Sequence, residues 1–194
     1  LSGRDVTVTL GKTGTAFDTT DYALNGTVVI SAGGITNFVT LTAKVDSLDE
    51  SDETVIIDII NVVNGLEATT QQRTVTITDN NDPPTVTLSV GAESIPESFG
   101  TTTVTATLNL VSALPVTVTL GKTGTATETA DYILNNTITI PAGDISATIT
   151  LSASGDLIDE DGLPAIADEE VIIKITGVTN GVAFGTQQQT VKII

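Results

Sequence analysis

The chain of 194 residues has no cysteine, no histidine and no tryptophan, and only 2 tyrosines. Without cysteine there is neither a disulfide framework nor a thiolate metal site, and without histidine the usual ligand for zinc, copper or iron is missing. The same two absences remove the partners that a nucleophilic triad needs. The carboxylates gather in clusters with no aromatic rings nearby to stack a sugar, which argues against the acid and base pair of a glycosidase. The chain is therefore expected to be no enzyme. Basic residues are also scarce, 7 against 24 acidic ones, for a formal charge of −17. That balance repels nucleic acid and anionic membrane surfaces, and no apolar run of about 18 residues offers a membrane insertion. It favours cations, and with oxygen the only ligand atom left, calcium ahead of magnesium.

What the chain has in abundance is threonine, valine and isoleucine in strict alternation, the pattern of half-buried strands in an all-β protein. It also repeats. Val6-Thr7-Val8-Thr9-Leu10-Gly11-Lys12-Thr13-Gly14-Thr15-Ala16 returns unchanged as Val116 to Ala126, and Asp21-Tyr22 returns as Asp131-Tyr132. After Glu50 and Glu160 the second copy carries an insertion around 162–167, and beyond it Asp52-Glu53 matches Asp168-Glu169 and Gln71-Gln72 matches Gln187-Gln188. Two domains of one type follow, 1–82 and 83–194. Strands are expected at Val6 to Leu10, Thr27 to Ile30, Ile35 to Val45, Thr54 to Val62 and Thr74 to Thr78, with a turn at Asn64-Gly65. Two more are expected at Thr85 to Val90 and Thr102 to Leu110, a stretch for which the first copy has no counterpart. Spacing and punctuation point to two tandem immunoglobulin-like antiparallel β-sandwiches, the first lacking its opening strands. The start at Leu1, with no leader or tag, reads as a piece of a longer polypeptide.

Between two of these strands lie Asp46, Asp49, Glu50, Asp52 and Glu53, five carboxylates within eight residues and no Lys or Arg among them. Two unit charges about 5 Å apart repel by roughly 3 kcal/mol at an effective dielectric near 20, so an ordered loop of this kind calls for a cation. The second copy repeats the device at Asp156, Asp159 and Glu160, completed by Asp168 and Glu169. The bland reading is a charged, solvated loop that keeps a sheet-rich protein soluble. Paired clusters at matching places favour the metal. Neither loop has EF-hand spacing. Asp79-Asn80-Asn81-Asp82-Pro83-Pro84 joins the copies, where two prolines end ladder pairing. The two Asn-x-Thr triplets, at Asn25 and Asn135, are what chance supplies in so threonine-rich a chain.

Asp21-Tyr22 followed by Gly26 to Ile30, the Gly33-Gly34 turn, the acidic loop ending in Asp52-Glu53, Asn64-Gly65 and the Asp79 to Pro83 exit, in that order, resemble the Calx-β domain. That family includes repeats of sodium–calcium exchangers, of an integrin β subunit and of large bacterial surface proteins. The resemblance implies a seven-stranded sandwich with calcium at one end. It implies Asp21, Asp46, Glu50 and Glu53 with Asp79 and Asp82 as ligands in the first copy, and Glu97, Asp131, Asp156, Glu160 and Glu169 in the second. Asp49, Asp52, Asp159 and Asp168 are supporting candidates. The first copy lacks the segment matching Glu97 and the second lacks the exit acids, so each site would be incomplete here.

The function expected is that of a calcium-binding, structural or adhesive tandem-repeat segment of a large extracellular or cell-surface protein, with calcium (Ca2+) stiffening the array. Its partners would be calcium, neighbouring repeats of the same polypeptide and, at the open edge of the first copy, another protein chain. The alternatives are a calcium-sensing regulatory module and a metal-free structural spacer.

Overall fold

Alternating Val, Ile and Thr place a β-branched residue at most positions, which restricts χ1 and favours the extended backbone; the period of two then sends one set of side chains to each face of a sheet. The structure, a computed structural model, describes residues 1–155 and 169–194, and the regular structure there is all strand. The chain divides into two compact units, residues 1–47 with 51–80, and residues 81–194 with the short segment 48–50.

In the first unit, β1 (Val6–Gly14) lies between β3 (Thr27–Ile30) and β5 (Glu53–Val63), and β6 (Gln72–Ile77) follows β5 at the edge. A second, two-stranded sheet pairs β2 (Tyr22–Leu24) with β4 (Leu41–Ala43). Every strand-to-strand pairing in this unit is antiparallel.

The second unit has β7 (Thr85–Val90), β8 (Ser94–Ile95), β9 (Thr101–Leu108), β10 (Val116–Gly124) and β11 (Tyr132–Ile133). After these come β12 (Thr137–Ile140), β13 (Ser146–Ala153), β14 (Glu169–Thr179), β15 (Val182–Ala183) and β16 (Gln188–Ile193). They form two five-stranded sheets, ordered β12-β10-β14-β16-β8 and β11-β13-β9-β7-β15. Val116, Ile138, Val171 and Val191 from one sheet pack with Val86, Val104 and Leu151 from the other in one buried cluster, so this unit is an immunoglobulin-like sandwich. Two short edge pairings, β15 with β7 and β16 with β8, are parallel within otherwise antiparallel sheets.

The verbatim repeat has a local cause. In both copies β1 and β10 slip register at the same place, between Thr9 and Leu10 and between Thr119 and Leu120, so that Ile60 and Thr176 are left as extra residues of a bulge. Gly14 and Gly124 end the strands at φ 122° and 129°, and a Cβ there would lie 2.1 Å and 2.0 Å from the carbonyl oxygens of Thr54 and Glu170. Only glycine fits. Lys12 and Lys122 reach Asp18 and Glu128, and each also donates to a carbonyl at the end of the following short strand, that of Leu24 in β2 or of Leu134 just past β11.

The first unit lacks the counterparts of β7, β8 and β9, as the repeat alignment requires, and this corrects one expected strand. Ile35 to Val45 is not a continuous strand; only Leu41–Ala43 is. Its counterpart β13 extends over eight residues because it pairs along its length with β9, and the first unit has nothing for residues 36–40 to pair with. The core shrinks accordingly. Ala16, Tyr22, Leu24 and Val55 are its buried apolar residues, whereas Val8, Leu10, Leu41 and Ile57 stay half-buried although Val118, Leu120, Leu151 and Ile173 are buried in the second unit. Full burial of such a side chain stabilises by about 1.5–3 kcal/mol, a gain the first unit only partly realises.

Candidate metal centre

Asp21 closes a tight loop before β2. Its Oδ2 accepts from the Phe17 amide at 2.6 Å, its own amide donates to Phe17 O, and Thr19 N donates to Tyr22 O. Thr19 sits at φ 82°, left-handed backbone that a β-branched residue rarely adopts, so this loop stores strain that the Asp21 bonds hold in place. The second copy repeats the arrangement: Thr127 N donates to Asp131 Oδ2 at 2.6 Å, and Thr129 sits at φ 74°. The carbonyls of Asp21 and Asp131 accept from Lys44 N and Ser154 N, just past the ends of β4 and β13. A structural role therefore falls on one carboxylate oxygen of each Asp, which leaves the other for a further ligand.

That ligand position is shared. Asp21, Glu50 and Glu53 each bring one carboxylate oxygen to within 4.8 Å of the others, and all three residues are half-buried. Glu53 is fixed as the first residue of β5, paired with Ile77 of β6. Glu50 precedes it by three residues in the acidic loop. Two oxygens bound at about 2.4 Å to one ion lie at most about 4.8 Å apart, so the spread of these atoms fits a single cation at calcium–oxygen distance. The donor set is all carboxylate, which suits a hard divalent ion.

The other sequence candidates take separate places. Asp49 is buried; its Oδ2 accepts from Ser112 Oγ at 2.8 Å, and its carbonyl accepts from Ala113 N at 3.0 Å, a small bridge inside the second unit. Asp52 is exposed and receives the Asp79 amide on Oδ1 at 3.1 Å, which ties the start of the exit segment to the acidic loop. Asp46 and Asp82 are exposed and Asp79 is half-buried. Glu97 lies in the loop after β8, its amide donating to Ile194 O, and Glu169 opens β14 opposite Ile193. Asp156, Asp159, Glu160 and Asp168 lie outside the described residues, so Glu97, Asp131 and Glu169 are the second copy's candidates among those described.

Tyr132, next to Asp131, is buried, and burial pushes its phenol above the ordinary tyrosine value, helped by the charges of Glu128 and Asp131. Two features had no place in the sequence reading. The lysine six residues before an acid, Lys12 with Asp18 and Lys122 with Glu128, was visible as a spacing kept in both copies. Ser112 gave no signal, since its partner is 63 residues away and the pairing depends on the fold.

No protein-family model matches the chain, and no curated protein does. Solved structures to which it is similar include the crystal structure of CBD12 from CALX1.2, at 18% identity and a TM-score of 0.41, covering 99% of this chain and 88% of that one. A second is the crystal structure of calcium binding domain CBD12 of CALX1.1, at 19% identity and a TM-score of 0.36, covering 91% of this chain and 69% of that one.

Proposed function

We propose that this chain is a non-catalytic, calcium-binding pair of tandem repeats, a structural or adhesive segment of a large extracellular or cell-surface protein. The observation that carries the reading is the convergence of Asp21, Glu50 and Glu53, three half-buried carboxylates whose oxygens lie within 4.8 Å of one another. At that separation each like-charged pair repels by about 3 kcal/mol at an effective dielectric near 20, and a divalent cation turns the repulsion into attraction. In this reading Asp21 is held by its bond to Phe17, Glu53 by the β5–β6 ladder, and Glu50 closes the set from the acidic loop. The ion supplies charge neutralisation and fixes the loop. It binds the folded chain better than the unfolded one, so it raises stability by mass action. Repetition of the acidic device in both copies supports a serial array, in which each repeat is stiffened in the same way.

Thermal melting with excess calcium, with chelator and with magnesium tests the reading. A rise of several degrees with calcium alone is the expected result. Identical melting in all three would leave a metal-free spacer.

A further inference from the structure

The two sheets of the second unit carry different outer faces. Val86, Leu88, Val104 and Ala106 of β7 and β9 are buried, so alternation sends the residues between them outward. Every outward position of β7, β9 and β13 is a serine or a threonine. They stand in ranks: Thr107 lies between Ser146 of β13 and Thr87 of β7, and Thr105 lies between Thr148 and Ser89. A threonine-rich composition alone does not produce this. On the other sheet of the same unit the outward ranks set Glu170 beside Lys192 and Lys174 beside Gln188.

At each edge the hydroxyl face ends in exposed apolar side chains. Ile133 of β11 pairs with Ser152 and is 60% exposed. Val182 of β15 pairs with Thr85, and Phe184 continues its alternation just past the strand; they are 54% and 63% exposed. No carboxylate or amine stands at any of these positions, in a chain with a formal charge of −17.

We propose that this face pairs with the same face of a second copy of the chain. A hydroxyl is donor and acceptor at once, so a hydroxyl face complements itself without a matched set of opposites. Two copies charged at −17 repel, and they approach at least cost through the face on which neither brings a carboxylate. Stacked sheets keep their strands within about 30° of each other, so the threonine ranks of one copy run along those of the other. A two-fold axis along the strands then sets Val182 and Phe184 of one copy over Ile133 of the other, and the apolar edges meet twice. Strands about 4.8 Å apart, rising about 3.4 Å per residue, give the face an area on the order of 500 Å². A standard interface buries roughly 800 Å² per partner, so this pairing is weak and builds up with concentration. It needs no calcium and does not rest on the metal reading.

The test is sedimentation of the 194-residue protein in chelator and physiological salt, from micromolar to millimolar concentration, with amide shifts followed by NMR over the same range. A reversible monomer–dimer equilibrium is expected, with the concentration-dependent shifts gathered on β7, β9 and β13. Thr103→Glu and Thr148→Glu, both at exposed positions, each put a carboxylate on the face and weaken association at least about tenfold. Thr139→Glu, exposed on the outer face of the other sheet, adds the same charge and leaves association nearly unchanged. A monomer at every concentration overturns the proposal. So do shifts that leave β9 and β13 untouched, or equal weakening by Thr139→Glu, which would trace the effect to net charge alone.

Discussion

Ser112 donates its hydroxyl to Asp49 Oδ2 at 2.8 Å, with Ser112 1% exposed and Asp49 9%. A carboxylate so placed depends on its donor, because a buried charged acceptor left without one costs about 1–3 kcal/mol or more. Ser112→Ala is expected to destabilise the second unit by about that amount in urea denaturation. Combining it with Asp49→Leu should cost less than the sum of the two single changes, since the double variant leaves no buried carboxylate without its donor, although the Leu114 amide loses Ser112 Oγ in both the single and the double Ser112 variant. Additive losses would show that the pair is not coupled.

Gly124 cannot accept a side chain, with φ at 129° and a Cβ position 2.0 Å from Glu170 O. Gly124→Ala is expected to cost at least about 2 kcal/mol. Gly143 also has a positive φ, 86°, but nothing lies within 4 Å of its Cβ position, so Gly143→Ala should cost only about 1 kcal/mol. Equal losses would mean that the carbonyl contact does not matter.

Much of this architecture was legible in the sequence. The Val–Thr alternation marked β1 and β10, and the internal repeat located the missing opening strands before any coordinates. The Ile35 to Val45 stretch misled because its period-two pattern is genuine while its partner is absent: a strand is completed by non-local pairing that local propensity does not contain. The same limit hid β2, β8, β11 and β15, each of three residues or fewer. In the acidic loop composition alone pointed to the cluster, and it was the family resemblance that named Asp21, Asp46, Glu50 and Glu53 ahead of Asp49 and Asp52. Glu50 and Glu53 meet Asp21, whereas Asp49 is buried on Ser112 and Asp52 holds the Asp79 amide, and this division follows from backbone direction within the loop.

The unequal cores predict unequal stability. The first unit buries Ala16, Tyr22, Leu24 and Val55, while the second buries residues from both faces of a complete sandwich. Amide exchange without calcium is expected to release β1 and β5 well before β10 and β14. Simultaneous release of both sets would show that one cooperative unit melts, contrary to the packing.

Tyr132 gives a pH dependence. Its folded-state pKa is raised, by burial first and then by Glu128 and Asp131, so the unfolded chain loses this proton before the folded one does. The associated stability is fully present below the unfolded value, about pH 10, and is lost as pH rises through the folded value. Tyr132→Phe should reduce the alkaline loss of stability of the second unit above about pH 10. An unchanged alkaline profile would remove Tyr132 as the cause.

The central claim is that Asp21, Glu50 and Glu53 hold one calcium ion, and calorimetric calcium titration of the intact chain beside its Glu50→Gln and Glu53→Gln variants tests it most directly. Each variant removes a charged ligand while Asp21 keeps its bond to Phe17, so the fold should survive and calcium affinity should fall at least about tenfold, or about 1.4 kcal/mol. Calcium binding of equal strength in all three proteins would contradict the account and move the ion elsewhere.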